Sequence, residues 1–220
     1  MMNKESNTPK LLSINLATSS QEQRWTESGN RTGIDKRPTS LQVFLSSAGV
    51  EGDHVVDRKN HGGIHKAVYA YAREDALWWE EKIGEVITYG RFGENLTTKG
   101  VDITDAIIGE RWRIGGVVLE VSEPRIPCRI FSGFWNRKTL IKEFTEANRS
   151  GTYLRVITEG TIEAGMDIEI VSKPSHGITV GDIFEAKSGS REKIAEIALV
   201  AELSDQYRSW AARLTSPPPL

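Results

Sequence analysis

RWRIGGVVLEVS, residues 111–122, holds two short runs of β-branched and aromatic residues separated by Gly115-Gly116. Two adjacent glycines supply the positive φ angles of a tight primed turn, so the segment reads as a β-hairpin. Runs of the same kind recur: LLSINLA from Leu11, LQVFLS from Leu41, AVYAYA from Ala67, YLRVI from Tyr153 and DIEIV from Asp167. Each has the length and composition of an ordinary strand. Twenty glycines in 220 residues, above the usual ~7% share, punctuate them. Many short strands with turn signals and few long helices predict a mainly β fold, a barrel or a sandwich.

Two helices interrupt this pattern. REDALWWEEKIG from Arg73 begins with acidic residues and ends on Gly84, a helix stop. Residues 136–150 put Leu140, Ile141 and Phe144 on one face, the spacing of a core-packing helix. The character changes after Ser172, where Pro174 and Gly177 mark a boundary. Beyond it, Ile194, Ile197, Ala198 and Ala201 recur at helical spacing, as do Tyr207, Trp210, Ala211 and Leu214. Ser190 and Ser204 are candidate N-caps, and SPPPL stops the last helix. The chain therefore divides into a β-rich body, 10–172, and a three-helix module, 173–215. A barrel whose strands close on themselves is expected to fold without that module.

Charge excludes some functions. With 28 Lys and Arg against 30 Asp and Glu, the formal net charge is -2, so neither a nucleic-acid coat nor a polybasic membrane binder is expected. No apolar run approaches the ~18 residues of a membrane helix. The polar N-terminus lacks a signal-peptide core. A single cysteine, Cys128, cannot form an intramolecular disulfide, and together these features predict a cytoplasmic protein.

The densest chemistry lies in EGDHVVDRKNHGGIHKAVYAY, residues 51–71, with three of the four histidines. Gly62-Gly63 lets backbone N–H groups approach an anion, although turn chemistry alone also collects such residues. His61 and His65 have the H-x-x-x-H spacing of a zinc pair, but the intervening glycines make a poor helix and no second cysteine completes a site. In VSEPRIPCRIFSGFW, residues 121–135, Pro124 and Pro127 stiffen the approach to Cys128. Arg125 and Arg129 flank that thiol, and a nearby guanidinium favours the reactive thiolate; the plainer reading is a cysteine that merely packs. Asn95, in GRFGENLTTKG, can fix a loop or donate to a ligand oxygen. Arg155 sits mid-strand, where its planar fork can reach into a barrel mouth and grip an anion. No Walker A loop, G-x-G-x-x-G or G-x-S-x-G motif is present.

In order along the chain, EGD (51–53), HGG-x3-AV (61–68), FGENL (92–96), IGERWRIG (108–115), EPRIPC (123–128) and GTYLRVITEG (151–160) resemble the MOSC domain, the C-terminal domain of molybdenum-cofactor sulfurases. The resemblance spans residues 10–172 and is nearest to the stand-alone bacterial YiiM-like branch, whose three-helix module the tail resembles. Tyr153 and His54 depart from the family pattern without disturbing it.

The resemblance implies a closed, mostly antiparallel β-barrel-like fold of the pyruvate kinase barrel type, with peripheral helices. It implies a molybdenum cofactor, molybdenum bound to molybdopterin, with Cys128 as metal ligand and catalytic residue or as carrier of sulfur. His61, Gly62, Gly63 and Asn95 would then belong to the cofactor site, with Arg125 and Arg155 neutralising the pterin phosphate. A thiolate is a soft donor suited to that metal.

Reduction of an N-hydroxylated compound such as a hydroxylaminopurine is the implied activity. One cysteine cannot hold an iron–sulfur cluster, so electrons must come from a separate flavin or iron–sulfur partner protein. A sulfur-carrier or cofactor-delivery module, or a non-catalytic interaction barrel, are the competing readings, and a homodimer is compatible with each.

Overall fold

In the computed structural model, residues 8–19, 21–22, 31–57 and 61–215 are described. The expected features in residues 1–7, in 58–60 and in SPPPL, 216–220, lie outside them. The strands are β1 (Lys10–Leu16), β2 (Gln21–Glu22), β3 (Arg31–Thr32), β4 (Arg37–Thr39), β5 (Val43–Ser46), β6 (Gly49–Val50), β7 (Val68–Ala72), β8 (Leu96–Lys99), β9 (Arg111–Ile114), β10 (Val117–Pro124), β11 (Thr152–Thr158), β12 (Gly160–Ile162) and β13 (Ile168–Ser172). The helices are α1 (Arg73–Ile83), α2 (Arg129–Phe134), α3 (Leu140–Ala147), α4 (Val180–Lys187), α5 (Ile194–Ile197) and α6 (Asp205–Thr215).

The glycine hairpin forms as read, with Ile114 opposite Val117 and Gly115 at φ 57°. It anchors an eight-stranded mixed sheet in the order β13-β9-β10-β11-β7-β8-β1-β4. Pairing is antiparallel except between β7 and β8, and the parallel step requires the crossover that α1 provides. Gly84 ends α1 in a left-handed conformation, its N–H donating to the Glu80 carbonyl, a position that suits glycine.

The sheet curls into a barrel-like body but is not laddered all the way round. The described strand β1 takes β8 along one edge, and from Ile14 onward β4 occupies the other. Only its first residues are left for β13, which joins through one antiparallel bridge, Lys10 to Asp167. Closure is thus a seam of backbone bonds, Leu11 N–H to the Met166 carbonyl and Ile168 N–H to the Pro9 carbonyl. The closed barrel of the sequence reading is corrected to this partial closure.

Strand alternation sorts the side chains into two cores. Val68, Ala70 and Ala72 of β7, with Leu154 and Val156 of β11, enter an aliphatic core. Their neighbours Tyr69, Tyr71 and Tyr153 enter an aromatic cluster with Trp79, Phe92, Phe131, Trp135, Phe144 and Phe184. Tyr71 stacks on Phe92 at 4.0 Å between ring centroids, and Phe144 meets Phe131 edge-on at 5.0 Å.

The tail is helical, and its packing is continuous with the body. Ile178, Val180, Ile183, Ile194, Ile197, Val200, Leu203 and Tyr207 share one buried cluster with Trp112, Leu119 and Val121. Backbone bonds from Val180 to Ala106 and from Gly181 to Thr104 lace the segment to the loop before β9. Thr179 caps α4 in a reciprocal capping box with Asp182. Ser204 sits before α6 and accepts from the Tyr207 amide at 3.4 Å, as a cap should. Ser190 does not cap α5, whose N-cap is Lys193, because the chain takes an extra turn between them. Among the described residues, no helix is long and apolar enough to cross a membrane.

Candidate functional site

A cleft opens on the face of the sheet that carries the aromatic cluster. Its walls come from segments far apart in sequence: 31–36, 54–57, His61, 66–69, 92–95, 125–130 and Tyr153. Its empty volume, counting the open solvent at its mouth, is about 710 Å³.

Arg125 is its central charge. The sequence Glu-Pro-Arg-Ile-Pro-Cys leaves β10 at Pro124, which cannot donate to a ladder and turns the chain off the sheet. Arg125 is only 4% exposed. Its guanidinium lies 4.3 Å from the Phe131 ring centroid, and its Nη1 finds no hydrogen-bond partner among the described residues. A buried guanidinium with an idle donor is costly unless an acceptor arrives from outside the chain.

Cys128 is half-buried on the same cleft, in extended backbone at the head of α2. Arg129, the second expected flank, is exposed and does not line the cleft.

His61 Nδ1 lies 3.0 Å from the Tyr153 hydroxyl. Burial, reinforced by the Arg125 charge, holds His61 down at about 4, so the ring is neutral at pH 7. Burial likewise pushes the Tyr153 phenol up to about 12. A nuclear magnetic resonance titration of the His61 ring should give a midpoint near pH 4. Because the folded ring binds its proton less readily than the unfolded one, its contribution to stability is full above about pH 6.5 and fades as pH falls toward 4. A midpoint near the ordinary histidine value of about 6.5 would mean that water reaches the ring.

Gly62 and Gly63 do not line the cleft; they carry the chain from His61 into a 3-10 turn, Ile64–Lys66. Gly63 at φ 95° holds a conformation that side chains rarely adopt. The histidine pair does not face one point, for His65 Nδ1 accepts from Arg155 Nε at 2.7 Å. Among the described residues no group of three His, Cys, Asp or Glu could hold a metal ion.

Asn95 lines the cleft with its amide already committed. Its Nδ2 donates to Asp53 Oδ2 at 2.9 Å and its Oδ1 accepts from the Tyr69 N–H at 3.2 Å. Asp53 in turn binds the buried ammonium of Lys36. Asn95 is therefore a brace for a Lys36–Asp53 pair in the cleft wall rather than a ligand donor.

Arg155 leaves the set. Strand alternation turns it to the same face as Tyr153, but away from the cleft. Its Nη1 binds Glu120 Oε1 at 2.5 Å, its Nε binds His65, and its Nη2 binds the Glu202 carbonyl. The expected reach into a barrel mouth fails because the interior is filled by the Leu154 and Val156 side chains.

Sequence reasoning missed Lys36 and Lys66, both on the cleft. Lys66 follows the histidine-glycine turn closely enough to have been a candidate; Lys36 stands in a loop with no motif around it. Lys66 Nζ pairs with the buried Glu123 at 3.2 Å. Burial lowers the Lys36 pKa against the pull of Asp53, and burial raises Glu94, behind that wall, to about 7.

Residues 57–169 match the MOSC domain family. The chain is 35% identical over 181 residues to the uncharacterized protein YflK of Bacillus subtilis, covering 82% of each. It is 34% identical over 147 residues to a protein named "Reductase" of Gibberella moniliformis, covering 65% of this chain and 26% of that one. The crystal structure of YiiM from Geobacillus stearothermophilus superposes with a TM-score of 0.78 at 27% identity, covering 94% of this chain and 100% of that one.

Proposed function

This chain belongs to the MOSC domain family, and on that premise we propose that its cleft binds the molybdenum cofactor and that the protein is the terminal component of a cytoplasmic reductase of N-hydroxylated compounds. The observation that carries this reading is the unpartnered Nη1 of buried Arg125 on the cleft that Cys128 also lines. The donor set fits the group. Arg125 and Lys66 present positive charge to a phosphate, and Cys128 offers a soft thiolate to molybdenum. When bound, the cofactor supplies two-electron reduction of an N–OH group to N–H.

The chain's own residues bind and orient. Lys36, fixed by Asp53 and Asn95, keeps its ammonium at the cleft wall. Neutral His61 and the Tyr153 hydroxyl share one hydrogen bond and form an uncharged polar wall for a neutral substrate. Phe92 and Ile130 line the cleft and limit water around the reacting group. Electrons come from a separate flavin or iron–sulfur protein, since one cysteine holds no cluster. The similarity to a protein named "Reductase" supports the activity class.

The test is metal analysis of the full chain from cells that make the cofactor, beside Cys128→Ser. Wild type is expected to carry about one molybdenum per chain, and the variant to retain its melting temperature but lose most of the metal, because a neutral hydroxyl is a poor ligand to that ion. Cyanide-labile sulfur without molybdenum would favour the sulfur-carrier role. Neither metal nor labile sulfur would end both readings.

A further inference from the structure

The turn that carries His61 and Lys66 into the cleft buries none of its own three residues. Something else must hold it. Several side chains reach it from the sheet, and two of them are also fastened to the tail. Arg155 is the first: Nε to His65 Nδ1 at 2.7 Å, Nη1 to Glu120 at 2.5 Å, and Nη2 to the carbonyl of Glu202. Glu120 is steadied by Arg111 at 2.8 Å. All three arms of the guanidinium are therefore committed. Glu123 is the second, buried to 2% exposure. Its Oε1 lies 3.2 Å from Lys66 Nζ, and its Oε2 accepts from Ser204 Oγ at 3.4 Å. Ser122, between them on β10, donates to the His65 carbonyl.

We propose that Arg155 and Glu123 are positioning residues that suspend the His61–Lys66 wall of the cleft from the tail loop Glu202–Ser204, so that the seating of the tail sets how Lys66 faces a bound anion. A planar fork with three acceptors fixes direction as well as distance, which a single lysine ammonium cannot reproduce. The arrangement gives the tail a role at the cleft although no tail residue lines it. The proposal rests on the cleft being an anion site, but its first readout does not.

Arg155→Lys and Glu123→Gln are the test variants, in the full chain. Arg155→Lys keeps a charge beside Glu120; Glu123→Gln keeps an acceptor for Ser204 while removing the charge that faces Lys66. Amide hydrogen exchange across 61–67 should quicken about tenfold in each variant, with α6 still protected, because the wall opens locally rather than with the tail. Exchange across 61–67 that matches wild type, or α6 amides that open to the same degree, would overturn the proposal; the latter would mean that these residues simply hold the tail.

Inorganic phosphate, titrated into each protein, is the second probe. Its dissociation constant should rise about tenfold in Glu123→Gln, where Lys66 loses its guide. Faster exchange with unchanged phosphate affinity would overturn the claim that Lys66 is being aimed. A wild-type protein that ignores phosphate would overturn the anion reading of the cleft, while the exchange result would still support the suspension.

Discussion

A chain ended at Ser172 is expected to yield no soluble, cooperatively folding body. The tail removes from water the side chains of Ile178, Val180, Ile183, Phe184, Ile194, Ile197, Val200, Leu203 and Tyr207. All but Phe184 lie in the aliphatic core together with Trp112 and Leu119, and Phe184 meets Phe144 in the aromatic cluster at 6.4 Å. Burying one such side chain stabilises by roughly 1.5–3 kcal/mol. Several of them together exceed the whole ~5–15 kcal/mol by which a domain is usually stable.

Truncation would bare both halves of that contact, and would strip Arg155 of the Glu202 carbonyl and Glu123 of Ser204. Exposure of a large apolar face favours aggregation. Circular dichroism melting and size-exclusion chromatography of residues 8–172 beside the full chain decide the matter. A truncated protein that stays monomeric and melts within a few degrees of the full chain would show the tail to be an independent module after all.

The contrast with the expectation drawn from sequence has a physical origin. Strand runs and the glycine hairpin are local signals, and β1, β7, β9, β10, β11 and β13 fall where those runs stand. Helical spacing in the tail was equally legible, since Tyr207 and Ala211 are indeed buried on one face of α6. An apolar stripe does not announce its partner, however. Nothing in Ile194 or Leu203 distinguishes a stripe that meets other tail helices from one that meets Trp112 across the chain.

The site divides in the same way. Arg125, Cys128 and His61 were found because motifs concentrate them, and the fold brings all three to one cleft. Arg155 stands in a motif of its own, GTYLRVITEG, and sits two residues beyond Tyr153 on the same strand face, where it turns toward the tail. Lys36 reaches the cleft only through the Asp53–Asn95 brace, a long-range arrangement that spacing cannot encode.

Replacement of Arg125 by methionine is expected to separate stability from binding. Without a ligand, the wild-type guanidinium stands buried over Phe131 with Nη1 unpaired. A buried donor left without an acceptor costs about 1–3 kcal/mol. Methionine fills much of the same volume, keeps contact with the Phe131 ring and carries no charge. Tyr153 keeps His61 as its hydrogen-bond partner at 3.0 Å. The ligand-free variant should therefore melt a few degrees higher than wild type, at about 2–4 °C per kcal/mol for a chain of this size.

Binding should move the opposite way. A charge-assisted hydrogen bond contributes about 1.5–3 kcal/mol, so affinity for an anionic ligand should fall by roughly 10- to 100-fold. Cofactor content after expression and titration with inorganic phosphate both read that loss. His61 supplies a third measurement. Burial is the larger cause of its depressed pKa and the Arg125 charge the second, so in the variant its midpoint should rise from about 4 without regaining the ordinary histidine value. A methionine variant that melts lower while holding phosphate and cofactor as wild type does would make Arg125 a structural arginine, and the cleft would need another residue to receive its anion.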